Sequence, residues 1–149
     1  MPEGPLINIV VIVVLLLFSA FFSSSEAAFL SLERVTIIHL VNTGVPGAQR
    51  VSDMVASPEK LLSTILLGNN LVNIAFASVM TVLIGTVVGP QWSVLAATVI
   101  VTAILLVVGE ITPKTIALRH AERVALLYVY PMRFLMYIST PLTAPLGVI

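Results

Sequence analysis

The sequence contains no cysteine and little charge, and both absences narrow what the protein can be. Without cysteine the chain forms no disulfide, binds no metal through a thiolate and uses no thiol in catalysis. Charged residues make up 9% of the chain and hydrophobic residues 58%, whereas soluble domains carry about 25% charged residues. Seven basic residues balance seven acidic ones, so no positive excess points to nucleic acid as a partner. The composition excludes an ordinary water-soluble fold and predicts an integral membrane protein.

Three apolar stretches are long enough to cross a bilayer, which takes about 20 predominantly apolar residues. We predict membrane-spanning helices at about residues 6–32, 61–84 and 92–113. The first stretch lacks the basic start of a secretory signal and is longer than the apolar part of such a signal, so we expect it to be retained. The predicted fold class is an all-α membrane protein, with residues 1–149 forming a single transmembrane domain.

The segments outside the three spans are expected to form helices near one membrane face. Residues 33–58 are amphipathic, and the sequence TGVPG at 43–47 divides them into two short helices. Residues 118–149 are expected to form a further juxtamembrane helix, although residues 124–149 are apolar and hydropathy alone allows a fourth span there. Three prolines and the central Arg133 favour instead an interfacial amphipathic helix followed by an irregular segment.

The distribution of basic residues predicts the orientation of the chain. Lysine and arginine occur in residues 33–60 and 114–123, while the loop at 85–91 has no charge. Because basic loops stay in the cytoplasm, both basic segments are expected on the cytoplasmic side. The prediction is a multi-pass protein of the plasma or inner membrane, with its N-terminus outside and its C-terminus in the cytoplasm.

Polar side chains interrupt all three predicted spans. Such groups are costly at membrane depth unless they line a site or find partners. Ser19 and Ser23 are four residues apart on the first span, so their hydroxyls lie on one helix face, and Glu26 falls close to that face. Asn69 and Asn73 repeat the four-residue spacing on the second span.

The third span ends on Gly109 and Glu110, shortly before Pro113. Proline cannot donate to the carbonyl four residues back, so we expect a kink at Pro113 and a free Gly109 carbonyl. Broken helices of this kind hold ions in transporters, and we expect the first and third spans to be kinked or broken at the ion site. Hydroxyl, amide, carboxylate and carbonyl oxygens suit a hard cation such as Mg²⁺, Ca²⁺ or Na⁺. A solvated Glu110 near the interface is the alternative.

The other polar residues also have structural alternatives. Ser24 and Ser25 can bond back to their own helix, and Asn70 and Asn73 can join neighbouring helices. Glu26 can pair with a basic residue or cap a juxtamembrane helix. The coincidence of oxygen ligands from three spans at compatible depths favours a binding site.

Three strings that occur here in order resemble the transmembrane domain of the cyclin-M (CNNM)/CorB–CorC family of magnesium transporters. The strings are FSAFFSSSEAA at 18–28, LLGNNLVN at 66–73 and GEITPK at 109–114. The resemblance implies a homodimer of three-span subunits with a belt of cytoplasmic juxtamembrane helices. It also implies Mg²⁺ efflux coupled to Na⁺ entry, by alternating access.

Carried onto this chain, the resemblance implies a specific set of metal ligands. They are Ser19, Ser23, Asn69, Gly109 and Glu110, with Ser24, Asn70, Asn73 and Glu26 as further candidates. Full-length members of the family continue into cytoplasmic CBS domains that bind ATP–Mg²⁺, and these domains are absent from residues 1–149. We therefore expect Mg²⁺ as the transported ion, Na⁺ as the coupling ion, and ATP only through the absent CBS domains.

Two other classes of function were weighed against transport. An Mg²⁺-binding sensor or scaffold that does not itself transport is the alternative that the residues leave open. An enzyme is not expected, because the sequence has no Ser/His pairing, no His-Glu zinc motif and no paired aspartates. The expected partners are a second copy of the chain, the lipid bilayer and the two ions, and no nucleic acid.

Overall fold

A computed structural model describes residues 4–143, with side chains described for residues 6–138. This part of the chain is helical, with short turns and no strand. The helices are α1 (Gly4–Ser31), α2 (Arg34–Asn42), α3 (Ala48–Val55), α4 (Pro58–Val88), α5 (Pro90–Ile104), a π-helical segment (Leu105–Ile111), α6 (Thr112–Arg119) and α7 (Ala121–Thr143).

Three helices in the described part are long and apolar enough to cross a membrane, which confirms the predicted fold class. They run over Leu6–Ser31, Pro58–Val88 and Pro90–Arg119. The third contains α5, the π-helical segment and α6 without a break. The first is continuous from Gly4 to Ser31, and a kink in either helix stays a prediction.

The turn between the second and third spans is shorter than the loop expected at 85–91. Helix α4 continues to Val88, and α5 begins at Pro90. Gly89 alone joins them, and its φ of 91° is in the region that favours glycine. Pro90 stands at the first position of α5, where its missing N–H and fixed φ fit a helix start. The spans are therefore joined by a tight turn.

Helices α2, α3 and α7 pack at one end of the bundle. Gly44 and Gly47, both at positive φ, make the turn between α2 and α3. Helix α7 contacts α1, α3 and α4 and is not among the three spanning candidates. It remains helical through Pro131 and up to Thr143, so the expected irregular segment does not begin before that residue. Residues 144–149 lie outside the described part.

The buried apolar residues form two separate clusters. The first joins α1, α3, the start of α4, α6 and α7, and its buried members include Phe29, Leu61 and Met132. The second joins the later part of α4 to α5, through Phe76, Met80, Ile84, Ala97 and Val101. Along α1 and α4, Ser19 and Asn73 lie between the two clusters, whereas Ser23 and Asn69 lie one turn further, among residues of the first cluster. These four residues form a polar layer at the end of the first cluster nearest the second.

Candidate cation site

Ser19 lies where the three spans meet. Its hydroxyl donates a hydrogen bond of 2.8 Å to the amide oxygen of Asn73 on α4. The same hydroxyl is 2.9 Å from the point that a Cβ would take on Gly109, in the π-helical segment. Ser19 is fully buried and Gly109 is buried. Residues from all three motifs are thus brought together around one oxygen atom.

One helical turn from Ser19, two oxygen atoms are buried without a hydrogen-bond partner in the described part. They are the hydroxyl of Ser23 on α1 and the amide oxygen of Asn69 on α4. Ser23 follows Ser19 by four residues on α1, and Asn69 precedes Asn73 by four residues on α4. Because the two helices are antiparallel, both steps lead in the same direction along the bundle.

Close packing of α1 on α4 fixes this register. A Cβ on Gly68 would overlap the ring of Phe22, so α4 approaches α1 at the one position that has no side chain. Phe22 and Gly68 immediately precede Ser23 and Asn69 on their helices. Glycine at this position therefore allows α4 to approach α1 closely, next to the two polar residues.

The π-helical segment carries the two site residues of the third span. At its end the Thr112 N–H donates to the carbonyl of Val107, five residues back. In that register the carbonyl facing the Pro113 nitrogen is that of Val108, whereas an α-helical register gives Gly109. A free Gly109 carbonyl stays a prediction. Sequence reasoning missed the π-helix, which is a feature frequent at functional sites.

The Glu110 side chain is partly buried and has neither an ion pair nor a hydrogen bond to any residue between 6 and 138. It is therefore available to a cation. Glu26, by contrast, is occupied: one of its carboxylate oxygens lies 3.7 Å from the Lys114 ammonium. This matches the structural alternative for Glu26, an ion pair with a basic residue. The pair joins α1 to α6, three residues beyond Ser23 on α1.

Three further serine and asparagine residues lie apart from this group. The Ser24 hydroxyl donates to the Ala20 and Phe21 carbonyls of its own helix, at 2.7 and 3.1 Å. Asn70 is exposed. Ser25 is fully buried and without a partner in the described part, but two residues rotate a helix by about 200°, so it faces away from Ser23. The sequence alone did not predict that Ser23, Ser24 and Ser25 differ in this way.

The chemistry of the group is that of an oxygen site with little charge. Among the described residues no three His, Cys, Asp or Glu side chains come together. The available ligands are hydroxyl and amide oxygens with Glu110 as the one unpaired carboxylate, which are the ligands of hard cations. The Ser19 and Ser23 hydroxyls and the Asn69 amide oxygen are buried, so an ion bound to them would be partly shielded from water.

Comparison with known proteins gives a consistent assignment. A model of the cyclin M transmembrane N-terminal domain matches residues 10–149. The UPF0053 inner membrane protein YfjD of Escherichia coli is 38% identical over 114 residues, which are 76% of this chain and 26% of that protein. A UPF0053 protein of Haemophilus influenzae is 38% identical over 120 residues, which are 80% and 28% of the two chains.

A chloroplastic DUF21 domain-containing protein of Arabidopsis thaliana is 38% identical over 82 residues, which are 55% of this chain and 12% of that protein. The chain spans about a quarter of the length of the two bacterial relatives. Its three spanning helices agree with the inner-membrane description of the Escherichia coli protein. The chain is a multi-pass membrane domain that belongs to the cyclin M transmembrane N-terminal domain family.

Proposed function

We propose that this chain is the membrane domain of a Mg²⁺ transporter and that Mg²⁺ binds at Ser23 and Asn69. The supporting observation is that both side-chain oxygens are buried and have no hydrogen-bond partner among the described residues. An unsatisfied buried polar group costs about 1–3 kcal/mol. A cation that took both oxygens as ligands would offset this cost, and apolar packing alone would not.

We expect the remaining ligands to come from the other residues of the three motifs. Mg²⁺ prefers six oxygen ligands at about 2.1 Å and commonly keeps several waters. We assign the protein ligands to Ser19, Ser23, Asn69, the Gly109 carbonyl and Glu110, and the remaining positions to water. Glu110 would supply the negative charge, because Glu26 already faces Lys114.

Transport requires that the site open to each side in turn. We propose that Mg²⁺ enters from the end where α2, α3 and α7 lie, which we infer from the basic residues to be the cytoplasmic end, and leaves outside as Na⁺ enters. Movement of the third span about Pro113 would expose the site, and two copies would form a homodimer. The Na⁺ coupling and the dimer rest on the resemblance described above. We assign no enzymatic chemistry to the chain.

Flux through the full-length protein in proteoliposomes tests this function. We expect Mg²⁺ movement that depends on an opposing Na⁺ gradient and is lost in Ser23→Ala, Asn69→Ala and Glu110→Gln. Ser78→Ala is the matched control, because Ser78 lies on α4, is exposed and donates only to its own helix at Ile74. Absence of flux while calorimetry still detects Mg²⁺ binding would identify a sensor or scaffold. Unchanged Mg²⁺ affinity in the three site variants would show that Mg²⁺ does not bind at these residues.

A further inference from the structure

A small cleft lies where α3, the start of α4 and α7 meet. Three basic side chains line it, Arg50, Lys60 and Arg133, together with Asp53 and Ser57. Its volume is about 160 Å³. Lys60 is nine residues before Asn69 on α4, or about 14 Å along the helix. The cleft is therefore separate from the cation site.

The three basic side chains are exposed and line one cleft, and none of them forms an ion pair within the described part. Asp53 is the one acidic residue of the lining, and none of the three cations lies within ion-pair distance of it. Its carboxylate instead accepts a 3.0 Å hydrogen bond from the Gln49 amide. The Arg50 guanidinium stacks 5.1 Å above the centre of the Tyr130 ring. Positive charges held together in this way repel one another until an anion joins them.

The beginning of α4 adds to the attraction for an anion. Ser57 precedes the helix, but its side chain makes no capping hydrogen bond, so N–H groups of the first turn lack that partner. The positive end of the helix dipole points to the same place. Glu59 in this turn offsets part of the charge but does not line the cleft.

The position and size of the cleft identify the anion. Lys60 stands in the first turn of a spanning helix, at the depth where lipid headgroups lie. Helix α7 exposes Tyr130, which lies under the Arg50 guanidinium, and Tyr137, one turn beyond Arg133, and tyrosine is typical of the membrane–water interface. Sites that enclose drug-sized ligands measure about 300–1,000 Å³, so this cleft fits a phosphate group rather than a nucleotide.

We propose that the cleft formed by Arg50, Lys60 and Arg133 binds the phosphate of an anionic phospholipid. The lipid would join α3, α4 and α7 at the membrane surface. A basic residue near an anionic membrane strengthens binding by about fivefold, and three that surround one phosphate act together.

Lipid retention by the purified full-length protein tests the proposal. The protein is exchanged into micelles that contain equal amounts of phosphatidylglycerol and phosphatidylcholine, and bound lipid is counted by native mass spectrometry. We expect phosphatidylglycerol to be retained, each of Arg50→Gln, Lys60→Gln and Arg133→Gln to weaken retention about fivefold, and the triple variant to lose it. The control with the same charge change is Arg34→Gln/Arg119→Gln/Arg123→Gln, whose members are exposed and outside the cleft.

Two results would overturn the proposal. One is equal loss of phosphatidylglycerol in the two triple variants, which would indicate general attraction to a basic surface. The other is displacement of the lipid by inorganic phosphate at millimolar concentration, which would assign the cleft to a soluble phosphate compound. Retention of phosphatidylglycerol by the control variant and in the presence of phosphate would support the lipid site.

Discussion

The Ser19 hydroxyl lies 2.9 Å from the point where a Cβ on Gly109 would stand. Gly109→Ala therefore forces the hydroxyl to rotate away from Asn73, because a methyl group and an oxygen cannot share that distance. We expect loss of about 1 kcal/mol of stability from the broken hydrogen bond and a drop of tenfold or more in Mg²⁺ affinity by calorimetry.

Val107→Ala is the control for this substitution. Val107 lies in the same π-helical segment and is 54% exposed, so it reports on shortening a side chain there without entering the polar layer. Equal Mg²⁺ affinities for the two variants would show that the contact between Ser19 and Gly109 plays no part in binding.

Removing the Ser23 hydroxyl should separate stability from ion binding. This oxygen is buried and has no partner in the part of the chain that the structure describes. Ser23→Ala therefore removes an unsatisfied group and should raise the melting temperature without Mg²⁺ by about 2–4 °C. The same variant should gain less than the wild type from added Mg²⁺, since a ligand stabilises only the state that binds it. Thermal unfolding in detergent with and without Mg²⁺ measures both effects.

Ser19→Ala is the contrasting variant. It deletes a hydroxyl that already donates to Asn73, so it should lower the melting temperature in the absence of Mg²⁺. If Ser23→Ala lowered the melting temperature as much as Ser19→Ala did, the Ser23 hydroxyl would have a partner in the unliganded protein and the argument for the site would fail.

The Glu26–Lys114 pair predicts charge effects of opposite sign. Lys114→Gln removes a positive charge close to the site and should tighten Mg²⁺ binding about twofold to fivefold, whereas Glu26→Gln leaves the ammonium unpaired and should weaken binding by a similar factor. Both changes should shrink in high salt, because the pair is partly exposed. Calorimetry at low and high salt tests this, with Arg34→Gln on α2 as the control; changes of the same sign would contradict it.

The contact between Gly68 and Phe22 can be tested by compensation. Gly68→Ala places a methyl group inside the Phe22 ring and should destabilise the bundle by about 1–3 kcal/mol through overpacking. Phe22→Leu in the same chain should recover part of that loss, because the smaller side chain leaves room. Thermal unfolding of the single and double variants gives the coupling energy. Additive losses would show that the two residues do not determine how closely α1 approaches α4.

Much of the fold follows from apolar segment length and the location of turn residues. Three spans were predictable because a bilayer-spanning helix needs a long apolar run, and the sequence has three. The tight turn at Gly89 was not, because residues 85–91 carry two glycines and a proline that fit a longer loop equally well. Helix α7 continues through Pro131, where contacts with α1, α3 and α4 outweigh one missing backbone hydrogen bond.

For the candidate site, helical spacing predicted which residues of one helix share a face, but not which residues of different helices meet. The four-residue repeats placed Ser19 beside Ser23 and Asn69 beside Asn73, but spacing within one helix says nothing of contacts between helices. Ser19 bonds to Asn73, while the Ser23 hydroxyl and the Asn69 amide oxygen have no partner between residues 6 and 138. This difference depends on the register set by Phe22 and Gly68. The pairing of Glu26 with Lys114 likewise depends on how α6 lies against α1.

The polar layer also bears on how the helices can move relative to one another. Apolar contacts have no preferred direction, whereas a hydrogen bond holds its atoms in one arrangement. Among the described residues a single side-chain hydrogen bond, Ser19 to Asn73, joins α1 to α4. An ion that took up the oxygens of Ser23 and Asn69 would add a second connection between the helices. Arrival of the ion would stiffen the bundle at its middle, and departure would leave it free to shear there.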